Sequence, residues 1–171
     1  ELNRGKKTGI QFWNNNIDLI NDYKQSINRY FKKDPIIVKR KHQYAVRVIS
    51  KKVIESLQKL DKDLLEKGDI KKIPEKVMSF SNKNITYLLR SLYDGDGSVI
   101  LQKRGSARIS FVSQNKALEE QMSTLLLRFG ITSSIFYDTH AKVWRLDISG
   151  QENLSLFFDQ IGFLSQKKQQ R

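Results

Sequence analysis

Cysteine is absent from this 171-residue chain, and histidine occurs only twice, as His42 and His140. The first absence excludes disulfides and thiolate metal sites. Two histidines so far apart argue against a histidine-based zinc site. No apolar run approaches the ~20 residues that a membrane span needs, and no secretory leader pattern stands at the start. These absences predict no membrane partner and a cytoplasmic location. Acidic residues are also few. There are 18 Asp and Glu against 31 Lys and Arg, a formal net charge of +13. Solubility does not require so much charge, and the excess points to a polyanion, most simply nucleic acid. A generally lysine-rich proteome would give the same balance, so charge alone argues only for non-specific attraction. The apolar share of 39% is enough for a substantial core. The length suits one domain or a pair of small fused repeats.

The chain is organised around Asn84-Ile-Thr-Tyr-Leu-Leu-Arg-Ser-Leu-Tyr-Asp-Gly-Asp-Gly-Ser98. Ile85, Leu88, Leu89 and Leu92 recur at helical spacing. They run into Asp94-Gly95-Asp96-Gly97 and then the β-rich Val99-Ile-Leu-Gln102. This predicts a helix that ends at a tight glycine turn feeding a strand. Carboxylates at a helix C-terminus face the negative end of its dipole. Two of them call for a compensating cation, and a hard divalent metal suits oxygen ligands. An ordinary Asp-Gly turn is the plainer alternative.

On either side of this stretch the element order repeats. Ile10 and Phe12 alternate with Gln11 and Trp13 as in a half-buried strand, and Asn14-Asn-Asn16 offers a helix cap. Ile17, Ile20, Tyr23, Ile27, Tyr30 and Phe31 then mark an amphipathic helix. Ile36–Val38 and Tyr44–Ile49 form a hairpin with a basic tip, followed by a short helix over Val53, Ile54, Leu57 and Leu60. After residue 98 come strands at Val99–Arg104 and Arg108–Ser113, a helix at 115–129, a hairpin at Ile135–Tyr137 and Val143–Ile148, and a helix from Leu154. Adding 99 takes Ile10 to Ile109, Phe12 to Phe111, Asn16 to Asn115, Leu19 to Leu118 and Ile36 to Ile135. Past the hairpin the shift becomes 100, taking Val46 to Leu146, Val48 to Ile148 and Leu57 to Phe157. Near-constant register over this length indicates an internal repeat.

The window Leu89–Gly97 resembles the LAGLIDADG motif of homing endonucleases, in the form met in intein-encoded enzymes. Leu89, Leu92, Asp94, Asp96 and Gly97 match it letter for letter, while Ser91, Tyr93 and Arg90 replace a glycine, an aliphatic and an alanine. The resemblance implies an α+β fold, a pseudo-twofold repeat of αββαββα whose antiparallel sheets form a DNA-binding saddle. It divides the chain into residues 1–67 (the remainder of a first repeat without its motif helix), a connector at 68–83, and a complete second repeat at 84–171. The implied function is site-specific, metal-dependent hydrolysis of double-stranded DNA. The alternative is a non-cleaving DNA- or RNA-binding module of the same fold, such as a maturase or regulator.

The same resemblance implies the site. Asp96, with the carbonyl of Gly95, would hold Mg²⁺ or another divalent metal. Lys167, and one repeat earlier Lys67, would assist by charge. Gln114 would order a metal-bound water; it and its repeat mate Asn15 could equally be helix caps. Leu88, Leu89, Ser91 and Leu92 would form the contact with a first motif helix, supplied by a second chain or segment. Strand alternation places Ile100, Gln102 and Arg104 on one face, and Arg108, Ser110 and Val112 on one face of the next strand. Gln11, Trp13, Lys39, Lys41 and Arg47 are their counterparts in the first repeat, with Arg145 in the last hairpin. In a major groove, Arg and Gln would read base edges and Lys would contact phosphate. If about six phosphates are neutralised, affinity for duplex DNA falls ~10³-fold between 50 and 200 mM salt. A filter-binding titration checks this, and a flat salt response would remove the nucleic-acid reading.

Overall fold

The junctions from strand to helix at Asn16 and at Asn115 are each closed by the asparagine's side chain, which does the work of a missing backbone partner. The computed structural model describes residues 9–40, 43–62, 72–101 and 105–170, and the chain divides into two compact units, residues 1–66 and 67–171.

In the first unit the order is β1 (Gly9–Asn14), α1 (Ile17–Phe31), β2 (Ile36–Arg40), β3 (Gln43–Ile49) and α2 (Lys51–Gln58). The strands form an antiparallel sheet in the order β1-β3-β2. Ile27, Val48 and Val53 make its buried centre, with Ile10, Tyr23, Phe31 and Leu57 packed around them. In the second unit the order is α3 (Glu75–Met78), α4 (Asn82–Asp96), β4 (Gly97–Leu101), β5 (Ala107–Ser113), α5 (Lys116–Leu127), β6 (Ser134–Asp138), β7 (Val143–Ser149), α6 (Gln151–Gln160) and α7 (Gln166–Gln169). Its sheet runs β4-β5-β7-β6. The core joins α4, α5 and α6 to one sheet face through Ile85, Leu89, Tyr93, Phe111, Met122, Leu126, Leu146 and Phe157. Tyr93 packs edge-on against both Phe111 and Phe157.

The internal repeat extends to individual hydrogen bonds. Asn16 caps α1 by accepting from the Asp18 N–H, and Asn14 accepts from the Asn16 N–H. Asn115 caps α5 by accepting from the Ala117 N–H, and Ser113 accepts from the Asn115 N–H. Every position is displaced by 99. Strand register agrees, since Ile10 pairs Val48 as Ile109 pairs Ile148. One sequence alignment shifts: Ile37, not Ile36, pairs Val46 as Ile135 pairs Leu146. The turn leading into β2 is therefore one residue longer than its counterpart, which strand alternation alone could not register.

One matched position differs in kind. Where α1 buries Ile20, α5 buries Glu119, and both are fully inaccessible. Burial pushes the Glu119 carboxyl up to about 8, with the Asp147 charge adding to the rise and the Ser113 N–H opposing it. The folded state then holds a proton that the unfolded state releases near 4.5. Stability contributed by this group is full below that lower value and is lost as pH rises through about 8. Glu119→Gln, neutral at all pH, should match the parent's melting temperature at pH 3.5, below the window, and exceed it by ~3 °C or more at pH 8.5. Thermal unfolding at the two pH values measures this.

Candidate metal centre and nucleic-acid interface

Helix α4 buries one stripe, Ile85, Leu89, Tyr93 and Asp94, at successive turns. It continues through Asp96, and β4 begins at Gly97 with no intervening turn. The two acids thus sit in the last helical turn and not in a glycine turn. Gly97 is needed for closeness rather than for a left-handed backbone, because a Cβ there would come within 2.5 Å of the Tyr93 carbonyl oxygen. The space beside Gly95 is open.

The structure separates the two carboxylates. Asp94 is buried and accepts from the N–H of Leu164 at 2.8 Å and of Ser165 at 3.1 Å. Asp96 is exposed. The segment that satisfies Asp94 also returns a cation to the helix. Lys168 donates to the carbonyls of Tyr93 (2.9 Å), Asp94 (2.7 Å) and Gly97 (2.6 Å). Arg90 fastens the same segment by donating to the Ile161 carbonyl. Burial pulls the Lys168 pKa down, while the charges of Asp94 and Asp96 pull it back up. Lys167, the expected basic residue, is exposed on α7, and its neighbour Lys168 is the one at the helix end. Two adjacent lysines cannot be told apart by motif spacing. The turn of α7 decides which of them points back.

Asp96 and the Gly95 carbonyl are hard oxygen donors of the kind a divalent cation takes. Lys168 engages the carbonyls of residues 93, 94 and 97 and leaves that of Gly95 out. Among the described residues no group of three or more His, Cys, Asp or Glu converges on a metal position. The donor chemistry fits Mg²⁺, with water and substrate oxygens completing the shell. Gln114 is exposed just past β5, at the sheet end where Gly97 pairs Phe111. It is not a cap, because Asn115 and Asn16 are the caps. Lys67 lies outside the described residues.

The second sheet has one face on the core and one turned away. Arg108, Ser110, Val112 and Arg145 share the outward face, with Ser110 paired to Asp147 and Val112 to Arg145. Arg108 is ion-paired to Asp147 at 3.1 Å, and Arg145 to Asp138 at 2.8 Å. Ser110, expected to contact DNA, is fully buried beside its strand partner Asp147. In the first unit Gln11 lies opposite Arg47, and with its amide oxygen turned toward Arg47 it accepts from the Arg47 Nε and Nη2. Trp13 is on the Gln11 face and partly exposed. Lys39 is not. It pairs Tyr44 on the opposite face and lies over that ring, because the run Ile36-Ile-Val38 masks which residues of β2 face the core. Lys41, Gln102 and Arg104 lie outside the described residues. On α4, Leu89 belongs to the unit's own core, and Leu88 and Leu92 pack against that core half-buried. Tyr87 and Ser91 are the exposed residues of that helix face.

Residues 83–162 match the LAGLIDADG-like domain family. The chain is 37% identical over 97 residues to a probable translation initiation factor of Thermococcus kodakarensis, covering 57% of this chain and 8% of that protein. It is 31% identical over 120 residues to a DNA polymerase II large subunit of the same organism, covering 57% and 6%. A probable translation initiation factor of Methanocaldococcus jannaschii is 32% identical over 144 residues, covering 78% and 12%. The chain therefore spans about a tenth of the length of these relatives. Its fold is similar to that of I-DmoI in complex with DNA and Mn, with a TM-score of 0.68 at 22% identity over 90% of this chain and 80% of that one. It is also similar to the N-terminal LAGLIDADG domain of DUF199/WhiA, with a TM-score of 0.57 at 14% identity over 95% and 74%. No described helix is long and apolar enough to cross a membrane.

The two acids should separate in a stability measurement. Asp94→Ala strands two N–H groups and should cost ~2–3 kcal/mol. Asp96→Asn should stay within about 0.5 kcal/mol of the parent. Urea unfolding of both variants checks the pair.

Proposed function

The chain carries a LAGLIDADG-like domain in residues 83–162 and has the LAGLIDADG homing-endonuclease fold, and from this premise we propose that it is a site-specific double-stranded DNA endonuclease, or a fragment of one. The observation that carries the reading is the split between the two acids at the end of α4. Asp94 is consumed by backbone N–H groups, whereas Asp96 is exposed and follows a glycine with open space beside it.

In this reading Asp96 and the Gly95 carbonyl hold the divalent metal. When bound, such an ion would make a water easier to deprotonate and would offset charge on the leaving oxygen. Lys168 supplies a fixed positive charge next to the scissile phosphate; its three carbonyl partners hold it in place. Gln114 orients a water, and the outward sheet faces hold the duplex. Antiparallel ribbons fit a major groove, where arginine reads base edges. The curated matches lie in translation initiation factors, DNA polymerases and an aminotransferase, and the chain spans 6–14% of each. A short segment shared by proteins of unrelated names supports an intein-borne module carried inside host proteins.

A second reading is a non-cleaving DNA- or RNA-binding module. It is favoured by the presence, among the described residues, of one acid-bearing motif helix and no cluster of three metal-type side chains. A second chain or segment bringing another such helix would complete the endonuclease. Cleavage of a randomised duplex library with Mg²⁺, with and without a polypeptide supplying a second motif helix, distinguishes the two. The endonuclease cuts a defined sequence, and Asp96→Asn abolishes cutting while binding stays intact or tightens. Specific binding with no cutting in either arm favours the binding module. An Asp96→Asn variant that cuts at the parental rate removes the proposed metal site.

A further inference from the structure

We propose that Arg145 reads a guanine in the bound duplex, and that Asp138 is the residue that positions it. The inference rests on the reading that the outward sheet faces bind duplex DNA. An acid on such a face needs a reason, because it repels phosphate in a chain whose excess charge otherwise attracts it. A basic residue that only contacts phosphate gains nothing from an acidic neighbour.

The geometry at the β6–β7 hairpin supplies the reason. Asp138 ends β6, and its Oδ1 accepts from the N–H of His140 and of Ala141, each at 3.0 Å. Its Oδ2 accepts from the Arg145 Nε at 2.8 Å. The Ala141 N–H and the Arg145 side chain hold the Asp138 carboxyl below its usual range. The acid is thus fixed by the turn before it touches the arginine. It takes the Nε edge only, which leaves both terminal amino groups of the guanidinium as a fork. That fork matches O6 and N7 of guanine. Arg108 is held differently, through its Nη1, with its Nε buried and without a partner in the described structure. One arm of its terminal fork is already occupied by Asp147. Across the ladder from Arg145 lies Phe136, an aromatic ring 41% exposed on the same face. A base pair covering that ring would keep water from the Arg145 fork.

The test is selection from a randomised duplex library with the full chain, its Arg145→Lys and Asp138→Asn variants, and melting temperatures of all three. The expected result is a guanine at one position for the parent. Both variants should lower the preference for that guanine ~10–100-fold, leaving other positions and the salt slope unchanged. Non-specific affinity of Asp138→Asn should be equal or higher, since a negative charge is gone. If Asp138→Asn melts lower and weakens all positions alike with the guanine retained, Asp138 merely braces the hairpin and the proposal fails. A guanine preference unchanged by Arg145→Lys would also overturn it. A parent chain that enriches no sequence would sink the DNA-binding reading itself, a distinct failure.

Discussion

The last carbonyls of a helix have no partners within it, and at the end of α4 this shortage is met from 71 to 75 residues away. Lys168 takes three of the carbonyls there, while Asp94 takes two N–H groups from the segment that carries Lys168. Each side satisfies what the other lacks. The exchange is largely sheltered from solvent, so the charge-assisted bonds are stronger than they would be at the surface. It fixes α7 against α4 and allows the helix to pass directly into β4. It also leaves Asp96 as the one acid of the motif free to act.

The rest of the second unit supports that junction. Tyr93 sits between Phe111 and Phe157, so the turn that bears both acids is packed on the sheet and on α6. Gly97 must be glycine because the Tyr93 carbonyl occupies the place of a side chain. The outward faces of the two units share a plan but differ in charge at matched register. Gln11 faces Arg47 in one, and Ser110 faces Asp147 in the other. Two sheets of common design therefore carry different polar groups at matched positions.

The fold was readable because it is written in periodicity. The alternation around Ile109 and Phe111 and the helical spacing of Leu118, Met122 and Leu125 match the structure, and the 99-residue offset holds through the caps of α1 and α5 but not at β2. What could not be read depends on side chains meeting over long sequence separations. Nothing local distinguishes Lys167 from Lys168 until the tail is laid on the helix. The uniform apolar run of β2 hid the side on which Lys39 lies. Leu89 looked like a contact residue because a motif resemblance does not say which stripe of a helix its own sheet has already claimed. The arginine partners Asp138 and Asp147 drew no notice, since an acid at a strand end is unremarkable until its hydrogen bonds are seen.

The account turns on Asp96 being the metal-holding acid and Asp94 the structural one. A crystal of the chain with a duplex it binds, grown in Mn²⁺, would test this by anomalous scattering. The account predicts a peak within metal–oxygen bonding distance of an Asp96 carboxylate oxygen and of the Gly95 carbonyl, with Asp94 still bonded to Leu164 and Ser165. A peak bonded to Asp94, or a duplex seated on the sheets with no manganese at Asp96, would contradict it.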